Sequence, residues 1–490
     1  MTLRPALSVR DAVADVRRTT PHRYHVHAKP PAARTGIAHD FAVRYAGVPA
    51  TGLSRSEDVV LYSGEGMPVL LGLYGDEARV RSWLPGLPGR VSPASAGALL
   101  AGCHPPKLVA EPACQALTAP VDLAGLPVLQ ATARDAGPYL TMGLVYAEDP
   151  LTGAVALSVH RMLVLDRTRL TIWLVPGRQL RAMHAAAVRR GARLPVSINV
   201  GAPPAAMVAS ALGSRFLPEG VGKLAVAGAL AGEPIRVAPA LTQPTRVLAD
   251  SELVLEGFLD GAVADECVQG PPEVSLPELL GYDGSARSGL PVITLTGMST
   301  RPEAVYQATI GPGREQSIIL GLAGAVSCAL SVADAGLLHD LHFAPAGGGM
   351  LLLVAAVRKD GPSADGQLER IARCLFEQHP FLKLIIFTDD DIDISSMEDV
   401  MWAVTTRANL GADCTTFPGF TPLGMDPSQQ EGWSTVGGRR GGSGRTFVDA
   451  TVPYRLRPAV ARSFPPGQPG PAQREVDRSV CRRAGQPRSA

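Results

Sequence analysis

Cysteine is sparse and unpatterned in this chain. Its seven residues, at positions 103, 114, 267, 328, 374, 414 and 481, form no Cys-x-x-Cys pair and keep no regular spacing. That usage fits a reduced cytosolic enzyme better than a disulfide framework. A charge excess of one sign is also missing, since 46 Lys and Arg stand against 45 Asp and Glu. Bulk electrostatics therefore gives no basis for binding nucleic acid or an anionic membrane. The uncharged run 317–333, just under membrane-spanning length, is interrupted by Gly and Ser and predicts a buried helix. The opening residues Met1-Thr2-Leu3-Arg4-Pro5 start no apolar signal segment, so a cytoplasmic protein is expected. Lysine is scarce as well: five of the 46 basic residues, which makes each one informative.

What is present suffices for two or three domains with real cores, given 490 residues at 46% hydrophobic. Residues 1–115 mix short strands (59–62, 68–74) with an early helix near 11–16 and predict an N-terminal α/β domain. The stretch 112–127 reads as a linker. Residues 116–315 form the central unit, with strands at 154–165, 170–175 and 194–201 and an amphipathic helix over 179–190. Residues 316–460 alternate strand and helix: a strand over 350–357, a helix over 367–376, a strand over 382–388, and a helix behind Ser396. From 461 to 490, Pro, Gly, Arg and Ser take over without periodicity, the pattern of a disordered tail. The fold class is α/β, mixed.

The strand centred on Ser158-Val159-His160-Arg161-Met162-Leu163 places an arginine inside an apolar run. A half-buried guanidinium needs an anionic partner, either a ligand or a structural carboxylate, unless it snorkels to the surface. Strand 194–201 runs into a Gly/Pro turn and a helix start, a geometry that presents N–H groups to an anion. Tyr24-His25-Val26-His27 puts two histidines on one strand face, half of a metal site without an evident third ligand. The acidic run Asp389-Asp390-Asp391-Ile392-Asp393 suits either a hard cation or, the favoured reading, helix capping and pairing with Arg407.

Several stretches together resemble the UbiD family of decarboxylases, which use prenylated FMN. They are 139–153, the Arg161-Met162-Leu163-Val164 strand, 194–212, 251–257, Gly281-Tyr282, Arg301-Pro302, and 389–407 with Met401-Trp402-Ala403-Val404-Thr405-Thr406-Arg407. They follow the family order over roughly residues 40 to 455. The resemblance implies an N-terminal α/β part, a central split β-barrel that holds the flavin, and a C-terminal α/β part that builds a homodimer or higher homo-oligomer. It implies a non-oxidative decarboxylase for an α,β-unsaturated or aromatic carboxylic acid, in which the flavin is the electron sink. A flavin prenyltransferase would supply the cofactor. A specialised acid of secondary metabolism is the expected substrate.

Carried over residue by residue, the family arginine falls on Arg161. The metal-binding Asn, His and Glu fall on Ala156, Gln179 and Lys223, so the usual Mn²⁺ or Mg²⁺ is not expected, and the Lys223 ammonium stands where it can meet the flavin phosphate. The first family glutamate falls on Gln269. The proton donor is Glu278 if registered from Gly281-Tyr282, or Val274 beside Glu273 if registered from Gly270-Pro271. Ser158, Val159 and His160 are expected along the flavin ring edge, Gln179 and Ser210 near the phosphate, and Lys359 as a further phosphate contact. The loss of Ala156, Gln179, Lys223 and Gln269 from the family pattern leaves a rival reading: a non-catalytic homologue serving as flavin-binding or oligomerisation partner.

Overall fold

The computed structural model describes residues 5–31, 34–45, 57–266, 274–279, 282–311, 313–423, 426–429 and 443–460. The expected tail, Gln269, Glu273 and the Gly281 of the Gly-Tyr pair lie outside them.

The early helix runs Val9–Thr19, capped by the Ser8 side chain accepting from the Asp11 N–H, and buries Val9, Ala12 and Val16. Beside it lies a sheet in the order Tyr24–His27, Val59–Tyr62, Val69–Leu71, Tyr306–Gln307. Its last strand comes from far along the chain and pairs in parallel with Val69–Leu71. The N-terminal layer is thus completed only at residue 307, and Arg10 ties it to Glu252 through two bonds of 2.9 and 3.0 Å.

The central sheet has the order Leu117–Ala119, Leu290–Thr300, Leu253–Ala264, Leu194–Val200, Tyr139–Glu148, Val155–Leu163, with Arg169–Thr171 sharing the outer edge of Leu290–Thr300. All its pairings are antiparallel. Among the described residues the sheet is not a closed barrel: its two ends meet at the single bridge Val164–Leu170. Alternation along Tyr139–Glu148 divides two cores. Met142, Leu144 and Tyr146 face one, and Val145 and Ala147 face the other. The first core is shared with the helices Pro204–Ser210, Lys223–Ala231 and Arg314–Ser331 and with the C-terminal sheet.

The C-terminal sheet is ordered Leu338–Phe343, Leu352–Val357, Leu384–Asp389, Arg445–Ala450, Cys414–Phe417, with helices Leu368–Gln378 and Met397–Arg407. The uncharged run 317–333 lies in the mostly buried helix Arg314–Ser331, as its composition predicts. Among the described residues no helix is long and apolar enough to cross a membrane.

Two expectations are corrected. The strand over 170–175 ends at Thr171: its ladder to Leu290–Thr300 spans Arg169–Thr171, the Ile172 N–H adds a last bond to the Pro291 carbonyl, and the Trp173 carbonyl then turns to His160. Part of the expected linker, Leu117–Ala119, is an edge strand of the central sheet.

Two glycines give stability predictions of opposite sign. Gly349 has φ +70°, and a Cβ there would lie 2.0 Å from the Ser317 carbonyl oxygen of the long helix. Gly349→Ala is expected to lower unfolding free energy by about 2 to 4 kcal/mol in urea denaturation. Gly97 lies mid-helix in Pro93–Ala101, where a Cβ meets nothing within 4 Å; Gly97→Ala is expected to raise it by up to about 1 kcal/mol.

Candidate active site

Arg161 leaves the strand Val155–Leu163 with its side chain only 9% exposed and meets Glu266, itself 1% exposed, at 3.1 Å. Its other terminal nitrogen donates to Ser275 Oγ at 2.8 Å. Glu266 stands just beyond the end of the strand Leu253–Ala264. Besides Arg161, its carboxylate accepts from the Arg287 backbone N–H at 3.0 Å and from the Tyr139 hydroxyl at 3.2 Å. Burial first, and the Glu266 charge next, push the Tyr139 phenol far up, so it stays a neutral donor. A buried ion pair persists only where further hydrogen bonds satisfy it, and Ser275, Tyr139 and Arg287 provide them.

Trp173 forms one wall. The Arg161 guanidinium carbon sits 5.2 Å from its ring centroid, and that of Arg287 4.3 Å. The Trp173 carbonyl accepts from His160 Nδ1 at 2.9 Å. A carbonyl can only accept, so Nδ1 carries the proton and Nε2 accepts from Ser158 Oγ at 2.8 Å. Burial pushes His160 down to about 4, with Lys223 and Arg178 adding to the effect, so the imidazole is neutral.

Glu266 is the carboxylate at Arg161 that the sequence reading missed. Anchoring on Gly270-Pro271 put Gln269 opposite the family's first glutamate, whereas the carboxylate beside Arg161 comes from three residues earlier. The available signal was physical: a guanidinium in an apolar strand calls for a buried acid, and Glu266 follows closely on the longest strand of the sheet. Glu278 lies in the strand Val274–Leu279, which pairs with Tyr282–Ser285. That hairpin is tied to the site through Ser275, although the Glu278 side chain is outside the described residues.

The positions matched to metal ligands do not make a donor set. Ala156 is buried opposite Ala147 and carries no ligand atom. Gln179 is exposed at the start of the helix Gln179–Arg189. Lys223 donates to the carbonyls of Leu157 at 3.0 Å and Ser210 at 2.5 Å. Among the described residues no three His, Cys, Asp or Glu side chains converge as a metal site. A cation at one position, a methyl group at the second and an exposed amide at the third do not fit a divalent ion.

Other expected residues are placed differently from the sequence reading. The Ser210 hydroxyl donates to Met207 O at 2.7 Å, so only its carbonyl faces Lys223. The amide cradle expected after Val200 is depleted: the short helix Pro204–Ser210 is wholly buried and starts behind Pro203 and Pro204, which have no N–H. Val159 packs against the larger core. Lys359 is buried in the C-terminal unit and donates to Asp365, Thr451 Oγ1 and the Val452 carbonyl, which commits all three of its N–H groups. His25 binds Asp58 and His27 binds the Tyr45 hydroxyl, each at 2.8 Å. In the acidic run, Arg407 meets Asp389 at 2.8 Å and Asp391 at 2.7 Å, the favoured pairing.

The family profile described as the 3-octaprenyl-4-hydroxybenzoate carboxy-lyase Rift-related domain matches residues 107–315, and that of the carboxy-lyase C-terminal domain matches 321–450. The gallate decarboxylase of Lactiplantibacillus plantarum is 30% identical over 337 residues, which is 68% of this chain and 69% of that one. The apo structure of the 3,4-dihydroxybenzoic acid decarboxylase from Enterobacter cloacae superposes with a TM-score of 0.84 at 29% identity, covering 96% of this chain and 100% of that one. The UbiD-class enzyme HmfF from Pelotomaculum thermopropionicum, solved with FMN, gives 0.77 at 25% identity over 94% and 98% of the two chains. An evolved dimeric form of it, solved with prFMN, gives 0.75 at 26% identity over 94% and 97%. The chain belongs to the UbiD family. The relatives named here are all decarboxylases or UbiD-class enzymes, which leaves the reading of a non-catalytic homologue without support.

Proposed function

We propose that this chain is a non-oxidative carboxy-lyase that removes CO₂ from an α,β-unsaturated or aromatic carboxylic acid with prenylated FMN as cofactor. The observation that carries the reading is the buried Arg161–Glu266 pair beside Trp173 in the family-matching sheet. Arg161 holds the substrate carboxylate through its planar fork, and Glu266 orients that fork and balances its charge. Glu278 delivers the proton to the carbon that loses CO₂. Ser158 and the neutral His160 line the ring edge of the flavin, and Lys223 neutralises its phosphate. When bound, prenylated FMN supplies the electron sink. The residues at 156, 179 and 223 favour a cofactor held without Mn²⁺ or Mg²⁺. The units divide near residues 115 and 315, with 316–460 as the oligomerisation part of a homodimer or larger homo-oligomer, and a flavin prenyltransferase supplies the cofactor.

The test is co-expression with a flavin prenyltransferase, mass analysis of the released cofactor, and chromatographic assay of a panel of hydroxybenzoic and cinnamic-type acids. A cofactor of prenylated-FMN mass with loss of CO₂ from at least one acid is expected. Stoichiometrically loaded protein that leaves the whole panel intact, with no exchange of ring or vinyl protons in deuterated water, would overturn the reading.

A further inference from the structure

We propose that Lys223, Arg178 and Arg215 form a receptor for the phosphate dianion of the flavin that works without a divalent cation. The proposal rests on the flavin reading above and names the groups that replace the missing metal.

Lys223 is the centre of the argument. Its ammonium has three N–H groups, and two are spent on the carbonyls of Leu157 and Ser210, at 3.0 and 2.5 Å. These carbonyls come from the arginine strand and from the C-terminal end of the helix Pro204–Ser210, so the nitrogen is held between two fixed elements. Arg445 is held by Gln429 and by main-chain carbonyls, but three other buried cations meet carboxylates: Arg161 meets Glu266, Lys359 meets Asp365, and Arg407 meets Asp389. Lys223 meets none among the described residues, and neither do Arg178 and Arg215. A half-buried ammonium held by neutral carbonyls alone leaves its charge uncompensated, a costly state unless an anion arrives from outside.

The neighbours add positive charge. Burial, then the charge of Arg178, push the Lys223 ammonium down to about 7. Burial, then Arg215 and Arg178, push His379 down to about 4. The Arg215 guanidinium lies 4.7 Å from the Phe216 ring, which stacks on His379 at 4.9 Å. Lys223 is held by the two carbonyls and feels the charge of Arg178, and no acid among the described residues pairs with it. Lys223 also begins the helix Lys223–Ala231 behind Gly222, where no side chain caps the first turn. Those amide donors reinforce an anion site that the cationic side chains define.

A phosphate monoester matches this array. It is close to doubly charged at neutral pH and presents three acceptor oxygens, against one remaining ammonium donor and two guanidiniums with planar forks. Where a divalent ion supplies two charges to phosphate, an ammonium and a guanidinium supply the same two. An incoming dianion also restores the proton affinity of Lys223, so binding above neutral pH should draw a proton from solution.

The test uses full-length protein stripped with EDTA and checked by elemental analysis, titrated calorimetrically with FMN and with riboflavin. FMN is expected to bind without added metal, unaffected by EDTA, and at least about tenfold more tightly than riboflavin. Titration at pH 8 in two buffers of different ionisation heat should show net proton uptake. Lys223→Met is expected to weaken FMN about 10- to 100-fold while leaving riboflavin unchanged. Arg178 lies at the surface, so Arg178→Gln keeps the fold and reports independently, with a loss of the same sign. FMN affinity that collapses in EDTA and returns with Mn²⁺ would overturn the proposal, as would equal binding of FMN and riboflavin; either result leaves the flavin reading standing. Failure of both flavins to bind would overturn the flavin reading and this proposal together.

Discussion

Arg161→Ala, loaded with cofactor, is expected to lose carboxy-lyase activity by about a thousandfold or more in kcat/KM, the equivalent of roughly 4 kcal/mol. Two effects combine. The substrate carboxylate loses a planar two-point donor, and Glu266, 1% exposed, keeps its charge without the guanidinium at 3.1 Å. The second effect also reaches the fold, since removing one partner of a buried pair costs about 3 to 5 kcal/mol. Urea denaturation separates the two. Arg161→Lys retains charge but not the fork, and is expected to recover most of the stability and little of the activity. Glu266→Gln keeps the shape and one acceptor oxygen for Arg161 and the Arg287 N–H, which share a carboxylate oxygen, while its NH2 faces the Tyr139 hydroxyl, which can accept; it should fold and lose rate chiefly through a misaligned, over-charged Arg161. Full activity in Arg161→Ala on a proven substrate would sink the assignment.

Replacing Glu278 by Gln is expected to slow turnover by about 10²- to 10⁴-fold, the usual contribution of a positioned general acid, with cofactor content unchanged. Glu273→Gln is expected to stay within about threefold of the parent, since a residue outside the proton path contributes little. The reason lies in the hairpin Val274–Leu279 with Tyr282–Ser285. Ser275 anchors it to Arg161 at 2.8 Å, so the strand that carries Glu278 is fastened beside the guanidinium. Two register shifts, between Val274 and Pro277 and between Pro277 and Leu279, make its pairing irregular. Steady-state rates of both variants, with deuterium incorporation into product, check the order; the reverse ranking would move the proton donor to Glu273.

Much of the architecture was readable from local pattern. Apolar periodicity placed the helix that proves to be Val9–Thr19, the strand Val155–Leu163 and the alternation of the last unit, because which face of an element is buried depends on its own residues. The N-cap at Ser396 was likewise local, three residues from the Asp399 N–H it accepts. Failures arose where a residue's partner lies far away or where two short-range interactions compete. Ser210 looks like a phosphate contact by position, yet its hydroxyl turns back to Met207 within its own helix. Lys359 is rare and close to the end of a strand, yet its ammonium is consumed by Asp365 and by residues more than ninety positions on.

The sequence by itself determined that this is an α/β chain with an arginine forced into an apolar strand, and that the metal-ligand positions hold Ala156, Gln179 and Lys223. Only the tertiary structure decided what Arg161 meets. Glu266 is 105 residues away, and Trp173 reaches the guanidinium after its strand leaves the sheet edge. The same holds for Lys223, whose carbonyl partners lie 66 and 13 residues back. The physical reason is common to all three. Burial of a charge states that a partner must exist, whereas the identity of the partner is set by the register and curvature of a sheet assembled from distant strands, which no local periodicity encodes.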